Sequence, residues 1–465
     1  MTNADHDYDL IVIGAGPGGY TAAIRARQFG LKVAIVERDS VGGVCLNWGC
    51  IPSKNLIHQA SVFQSMTEME AIGVRVDREN LDYSSVFAKS RAVVASLTGG
   101  VDALLRKNNV RRISGVGRVT AVQEVTVNDT EIFTATHVLL STGSRPMTMP
   151  GFEFDEERVL SSTGALSLTA LPKSLIILGG GAIGCEFAYI MNCFGAQVTL
   201  VEMAEHLLPL EDFETCAVLE RSFARQGIQI KTATRASSLK HTDTGIELCV
   251  ETVASQPTTL TADKLLVVCG RVPNTQGIFD ESLGIELTPS GHIPVGDFGQ
   301  TSAPGVYAIG DITETPALAH VASKEAEIAV EHIAGRVPTT SSVDAQMVPS
   351  AIYCEPEVAG FGLREVKADG REYKKSVFNY PGAGKTIAVG KPEGMVKLIC
   401  DPETDELLGA HVVGHNATEL LHELLLAKHG ELLPEDIADM IHAHPTISEA
   451  SMEAARGING QAIHA

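Results

Sequence analysis

The strand-like run Asp9-Leu10-Ile11-Val12-Ile13 enters the turn Gly14-Ala15-Gly16-Pro17-Gly18-Gly19, and a closely similar passage returns as Ser174-Leu175-Ile176-Ile177-Leu178 followed by Gly179-Gly180-Gly181-Ala182-Ile183-Gly184. Each is followed by a helical stretch and a second strand that ends on an acid, Lys32 to Glu37 and Gln197 to Glu202. Glu37 lies eighteen positions after Gly19, and Glu202 eighteen after Gly184. In such a unit the first glycine (Gly14, Gly179) makes the tight turn and the second (Gly16, Gly181) lets backbone approach a pyrophosphate. The third (Gly19, Gly184) allows close helix packing, and the acid meets a ribose hydroxyl. Ordinary glycine turns in parallel sheets do not share their spacing in this way. The fold class is therefore α/β, with two Rossmann-like dinucleotide-binding domains.

At 465 residues with 44% apolar content, the chain has room for about three domains, taking roughly 150 residues each. With 36 basic against 57 acidic residues the net charge is −21, and no basic run follows a phosphate backbone, so nucleic acid is not an expected partner. The opening MTNADHDYD is acidic where a secretory signal is basic, and no apolar run approaches ~20 residues, which argues against a membrane span. A cytoplasmic or organelle-matrix location is expected.

Nine cysteines are present. Cys185, Cys193, Cys216, Cys249, Cys269, Cys354 and Cys400 are scattered, mostly in apolar surroundings, and no pair has zinc spacing, so they read as small hydrophobes and no metal is expected. Cys45 and Cys50 differ. They lie five apart in Gly42-Gly43-Val44-Cys45-Leu46-Asn47-Trp48-Gly49-Cys50-Ile51-Pro52-Ser53-Lys54. An ideal helix would hold their Cα atoms roughly 8 to 9 Å apart, beyond the ~7 Å limit for a bridge, so a disulfide requires Leu46–Gly49 to leave helical geometry. Gly49 suits that, and Ile51-Pro52-Ser53-Lys54 reads as a helix start whose dipole, with Lys54, would lower a thiolate pKa. Spacing alone leaves two readings open, a redox disulfide or two reduced structural thiols. On the first, the chain is an electron relay. A nicotinamide moves a hydride, a thiol pair moves two electrons, and a flavin exchanges with both. The cysteines follow the first glycine turn, which places FAD there and NAD at the second. Glu202 would repel a 2′-phosphate, and no Arg or Lys follows it before Arg221, so NAD is preferred to NADP.

The ordered set GGVCLNWGCIPSK at 42–54, STGSRP at 141–146, GGGAIGCE at 179–186, GRVPN at 270–274, GVYAIGD at 305–311 and HAHPTISE at 442–449 resembles the class I pyridine nucleotide-disulfide oxidoreductases, from about residue 7 to the C-terminus. Among these it is most similar to the members that oxidise dihydrolipoamide. The resemblance implies that Cys45 is the interchange thiol that meets substrate and Cys50 the flavin-side thiol. Lys54 would lie beside the flavin ring, paired with Glu186. Gly117, Thr142, Gly143, Asp311, Ala319 and His320 would contact FAD, and Gly270 and Arg271 would line the nicotinamide side. His444 would be the base and Glu449 its orienting partner. The substrate dithiol must lose protons as it attacks, and an imidazole suits that task. His442 is expected to be a bystander, and Pro445 a candidate for a cis bond. In this family the base serves the disulfide of the other subunit, so a homodimer is implied.

The expected layout is a split FAD domain (1–145 and 272–341), an NAD domain (146–271), and an α+β dimerisation domain (342–465). In the last, strands are expected at 351–353, 395–399 and 408–413, with a helix over 417–428. Relatives that act on glutathione or mercuric ion share the cysteine motif. The lack of a cysteine pair after Ile463, Glu202 without a nearby arginine, and the wording of CIPSK and HAHPTISE favour dihydrolipoamide. The implied partners are lipoyl domains, the acyltransferase core of a 2-oxoacid dehydrogenase complex or a glycine-cleavage carrier protein. Trp48 and the segment 380–385 depart from the usual pattern. The rival readings are a reductase of another disulfide and a non-catalytic docking subunit stabilised by its nucleotides.

Overall fold

The strand Tyr8–Ile13 has its last four residues fully buried, because it lies inside a parallel sheet covered on both faces. The computed structural model describes residues 6–252, 256–365, 370 and 372–464, and divides into two compact units. The first comprises the described residues of Met1–Asn55, Phe87–Met147 and Gly270–Ala345. Its sheet pairs Tyr8–Ile13 in parallel with Val33–Glu37 on one side and Glu131–Leu140 on the other. Arg111–Ser114 extends it beyond Val33–Glu37, and the short strand Val306–Ala308 returns from far along the chain to pair with Glu131–Leu140. The helix Pro17–Gln28 covers one face with alanines and glycines, which let it pack closely on Ala319–Ile333.

The second unit, the described residues of Leu56–Val86, Thr148–Cys269 and Gln346–Ala465, repeats the device. Ser174–Leu178 pairs in parallel with Gln197–Val201 and Lys264–Val267. It also contains an antiparallel sheet of Ser350–Ile352, Glu357–Gly362, Leu407–Gly414, Gly394–Cys400 and Lys374–Asn379, in that order. The helices Ala417–His429 and Glu449–Gly457 pack on this sheet. Strand and helix positions agree with the sequence to within a residue or two. The segment 380–385 forms a 3-10 turn over Tyr380–Gly382 and the start of the helix Gly384–Ala388, with Tyr380 fully buried. Among the described residues no helix is long and apolar enough to cross a membrane.

A buried lysine has partners that come from remote segments of the chain. Lys397, fully buried in Gly394–Cys400, donates to both oxygens of Asp212 at 3.0 and 2.9 Å, pairs with Glu214 at 2.8 Å and also meets Glu365. A buried ammonium is tolerable only when ringed in this way. Beside Asp212, burial pushes the Glu211 carboxyl up to about 7 from an ordinary 4.5, although it accepts a 2.7 Å hydrogen bond from Ser350. The folded state therefore holds a proton that the unfolded chain releases, and stability falls as pH rises from about 4.5 to about 7. Glu211→Gln is expected to leave stability nearly unchanged at pH 4 and to raise it by roughly 3 kcal/mol at pH 8, measured by denaturant unfolding at both pH values.

Candidate functional site

The two glycine turns are nearly superimposable in their constraints. Gly14 and Gly179 have φ of +101° and +112°, and a Cβ on either would stand 2.4 or 2.7 Å from a carbonyl oxygen, Ser141 O or Val268 O. A Cβ on Gly19 or Gly184 would fall 1.9 Å from the carbonyl oxygen of Gly14 or Gly179, so only glycine lets the helix sit this close. Gly16 and Gly181 face open space, with nothing nearer than 4.0 Å to the first and nothing within 4 Å of the second. Both are helix N-caps that make no side-chain cap, so the first-turn N–H groups are left for a ligand. Each helix has 12 residues and carries its positive dipole end at the turn. Glu37 accepts from the Ala15 and Asp39 N–H groups at 2.7 and 2.9 Å, and Glu202 from those of Gly180 and Ala204 at 2.6 and 2.7 Å. These are two open cradles of the shape a pyrophosphate needs, each with a carboxylate at the strand end where a ribose would lie.

Around the first cradle, Asp311 follows the strand Val306–Ala308 and accepts from the Ser144 hydroxyl. Arg271 donates to the Ser144 Oγ and carbonyl, both at 2.8 Å, and so belongs to the same group. Burial lowers the Arg271 guanidinium, and Asp311 opposes that shift. Gly310 N–H donates to Glu325 at 2.7 Å, which anchors the turn before Asp311. Burial raises Glu325, its hydrogen bonds from Gly310 and Thr315 opposing the shift. Thr142 and Gly143 (φ +68°) are tied to Asn274 by bonds of 2.7, 3.0 and 2.9 Å. Gly117 opens the strand Gly117–Ala121 against Val36 and Ile13, and Ala319 and His320 open the helix Ala319–Ile333. Gly270 N-terminal to this group has its carbonyl bonded by Met147 N–H at 3.1 Å.

Cys45 and Cys50 are joined by a disulfide, with Cα atoms 4.6 Å apart. Cys45 lies in the helix Gly43–Trp48, and the chain breaks at Gly49 (φ −151°, ψ −113°) before Cys50 starts the helix Cys50–Gln64. Gly49 matters through close approach rather than a left-handed φ, since a Cβ there would press on Val44 O at 3.1 Å and Cys45 Cα at 3.4 Å. Cys50 thus sits at the positive end of a helix, which favours a thiolate. Lys54 follows one turn later in that helix. By contrast, burial pushes the Cys193 thiol up to about 11 and those of Cys216 and Cys400 up to about 12, which suppresses their thiolates.

In the second unit, Glu186 is buried on the helix Ala182–Cys193, where its Oε1 accepts from the Tyr353 N–H at 3.2 Å. Glu449 Oε1 accepts from His444 Nδ1 at 3.0 Å, and its Oε2 from the Thr446 N–H at 2.8 Å. Burial would raise the Glu449 carboxyl, but Thr446 and His444 outweigh it and hold it below the usual range. With Nδ1 engaged, Nε2 is the basic nitrogen, and the imidazole is 78% exposed. The His444–Pro445 peptide is cis. His442 points away from solvent and is tied into the fold. Its side chain is 3% exposed, with Nε2 at 2.9 Å from Glu423 and Nδ1 at 3.1 Å from the Met440 carbonyl.

Residues 8–326 match the pyridine nucleotide-disulphide oxidoreductase family, and residues 348–455 its dimerisation domain. The dihydrolipoyl dehydrogenase of Thermus scotoductus is 42% identical over 98% of this chain and 98% of its own length. That of Zymomonas mobilis is 40% identical over 99% and 100%. The crystal structure of LpdA from Mycobacterium tuberculosis is similar with a TM-score of 0.88 at 28% identity, covering 97% of this chain and 99% of that one. Because the family matches take in both glycine turns, the bridged cysteines and the C-terminal sheet, the chain belongs to the pyridine nucleotide-disulphide oxidoreductases.

Proposed function

We propose that the protein oxidises dihydrolipoamide carried on lipoyl domains and passes the electrons to NAD⁺, as a component of a 2-oxoacid dehydrogenase or glycine-cleavage system. The observation that carries this reading is the Cys45–Cys50 disulfide in a chain with two dinucleotide cradles, taken with full-length similarity to dihydrolipoyl dehydrogenases. When bound, FAD accepts the electron pair from a thiol and NAD⁺ removes it as hydride.

The chain's own residues have the following roles. Cys45 exchanges with the substrate dithiol, and Cys50 becomes the thiolate on the flavin side. His444 Nε2 takes the substrate proton, and Glu449 holds the tautomer and offsets the imidazolium charge. Gly14, Gly16, Gly19, Glu37, Gly117, Thr142, Gly143, Asp311, Ala319 and His320 hold FAD. Lys54 and Glu186 supply opposite charges beside its ring. Gly179, Gly181, Gly184 and Glu202 hold NAD, with Gly270 and Arg271 toward the nicotinamide. The FAD domain is 1–145 with 272–341, the NAD domain 146–271 and the interface domain 342–465. The exposed His444 serves the disulfide of a second subunit, so the homodimer is the active form, working in the cytoplasm or an organelle matrix. Glu202 favours NAD⁺ because its carboxylate would repel a 2′-phosphate.

The test compares NADH formation from dihydrolipoamide with NADPH-driven reduction of glutathione disulfide on the purified holoenzyme. Dihydrolipoamide with NAD⁺ is expected to be the faster pair by at least about 100-fold, on the order of 3 kcal/mol of discrimination. A preference for glutathione and NADPH would replace this reading with that of another disulfide reductase.

A further inference from the structure

The segment between the bridged cysteines, the end of the helix Gly43–Trp48 and Gly49, is gripped by one side chain. Arg91, on the helix Tyr83–Lys107, donates from Nη2 to the Asn47 carbonyl at 2.8 Å. Its guanidinium carbon also stands 4.5 Å from the centre of the Trp48 ring. Among the described residues Arg91 Nε is buried without a hydrogen-bond partner, so the side chain accepts a desolvation cost to keep this position. Burial lowers its pKa, but a guanidinium remains charged. Asn47 is held from its other side as well, its amide donating to the Val41 and Gly43 carbonyls at 3.1 and 2.9 Å. The carbonyl that Arg91 meets belongs to the last turn of Gly43–Trp48, where unsatisfied carbonyls form the negative end of the helix dipole. A fixed cation there offsets that negative end, two positions after Cys45 and three before Cys50.

Reduction of the bridge brings a new charge to the same place. A substrate dithiol gives up two electrons and two protons and closes to a disulfide. The Cys45–Cys50 bond breaks, one sulfur takes a proton to become a thiol, the other stays a thiolate, and the second proton leaves on the base. The segment has then gained one negative charge. We propose that Arg91 is a positioning residue for the redox cysteines, fixing the segment through the Asn47 carbonyl and the Trp48 ring and stabilising the thiolate formed on reduction. This rests on the redox reading of the pair given above. Trp48, the unusual residue of the motif, acquires a role in it, because an indole face selects a planar guanidinium over an ammonium.

The test is the pH dependence of alkylation by iodoacetamide of holoenzyme reduced anaerobically with dihydrolipoamide, with mass spectrometry reporting Cys45 and Cys50. Arg91→Met is expected to move the midpoint of this curve up by about one pH unit, roughly tenfold less thiolate at a fixed pH below it. Arg91→Lys, which keeps charge without the planar stack, should recover part of the shift, and Trp48→Val should show a smaller shift in the same direction. If Arg91→Met does not fold, the other two variants decide. Variants whose midpoints coincide with the parent's overturn the role of Arg91 while leaving the redox pair intact. Failure of the parent's own Cys45 and Cys50 to become alkylable after dithiol treatment removes the redox reading, and this proposal with it.

Discussion

Cys50→Ser is expected to lower NADH formation from dihydrolipoamide by roughly 10³-fold or more, while the protein keeps its fold and its bound flavin. A hydroxyl cannot close a disulfide with Cys45 or carry the electron pair as a thiolate. The cradle proposed for the flavin uses other groups: the Gly14 turn, the open approach at Gly16, the Glu37 carboxylate and the Asp311 cluster. Absorbance of the purified variant reports flavin content, and a coupled NADH assay reports turnover. Retained turnover would mean that electrons reach NAD⁺ without this sulfur.

His444→Gln should reduce the same reaction by about 10² to 10⁴-fold, the usual worth of a positioned general base. The effect should be selective. Electron flow from NADH to an artificial dye needs no proton taken from a thiol, so that activity should stay near the parent level in the variant. The geometry that motivates this is narrow. Glu449 engages Nδ1 and the Thr446 N–H together, which leaves Nε2 exposed and basic. Equal loss of both activities would make His444 a structural residue of the turn.

Much of the frame was legible in the sequence because it is enforced locally. A glycine at Gly14 or Gly179 is required by a left-handed φ, and one at Gly19 or Gly184 by a carbonyl less than 2 Å from where a Cβ would stand, so the pattern survives in the letters. A disulfide at this spacing required the chain to leave helical geometry over Leu46–Gly49, but Leu46–Trp48 stay in the helix Gly43–Trp48 and the break is confined to Gly49. Its cause, the approach of Val44 and Cys45 backbone, needed three dimensions. Contacts distant in sequence were not legible. Nothing local marks Arg91 as the partner of Asn47 across 44 positions, or Glu423 as that of His442. Lys397 carried a faint signal, a single charge inside the apolar strand Gly-Met-Val-Lys-Leu-Ile-Cys, but its ring of Asp212, Glu214 and Glu365 comes from remote segments.

The relay through sulfur is tested most directly by counting thiols and NADH together. Holoenzyme mixed anaerobically with one equivalent of dihydrolipoamide per subunit should gain two alkylable thiols, at Cys45 and Cys50. Adding NAD⁺ should then remove both thiols as one NADH per subunit appears. NADH formed while the thiol count stays constant, or new thiols that NAD⁺ does not reoxidise, would contradict the relay.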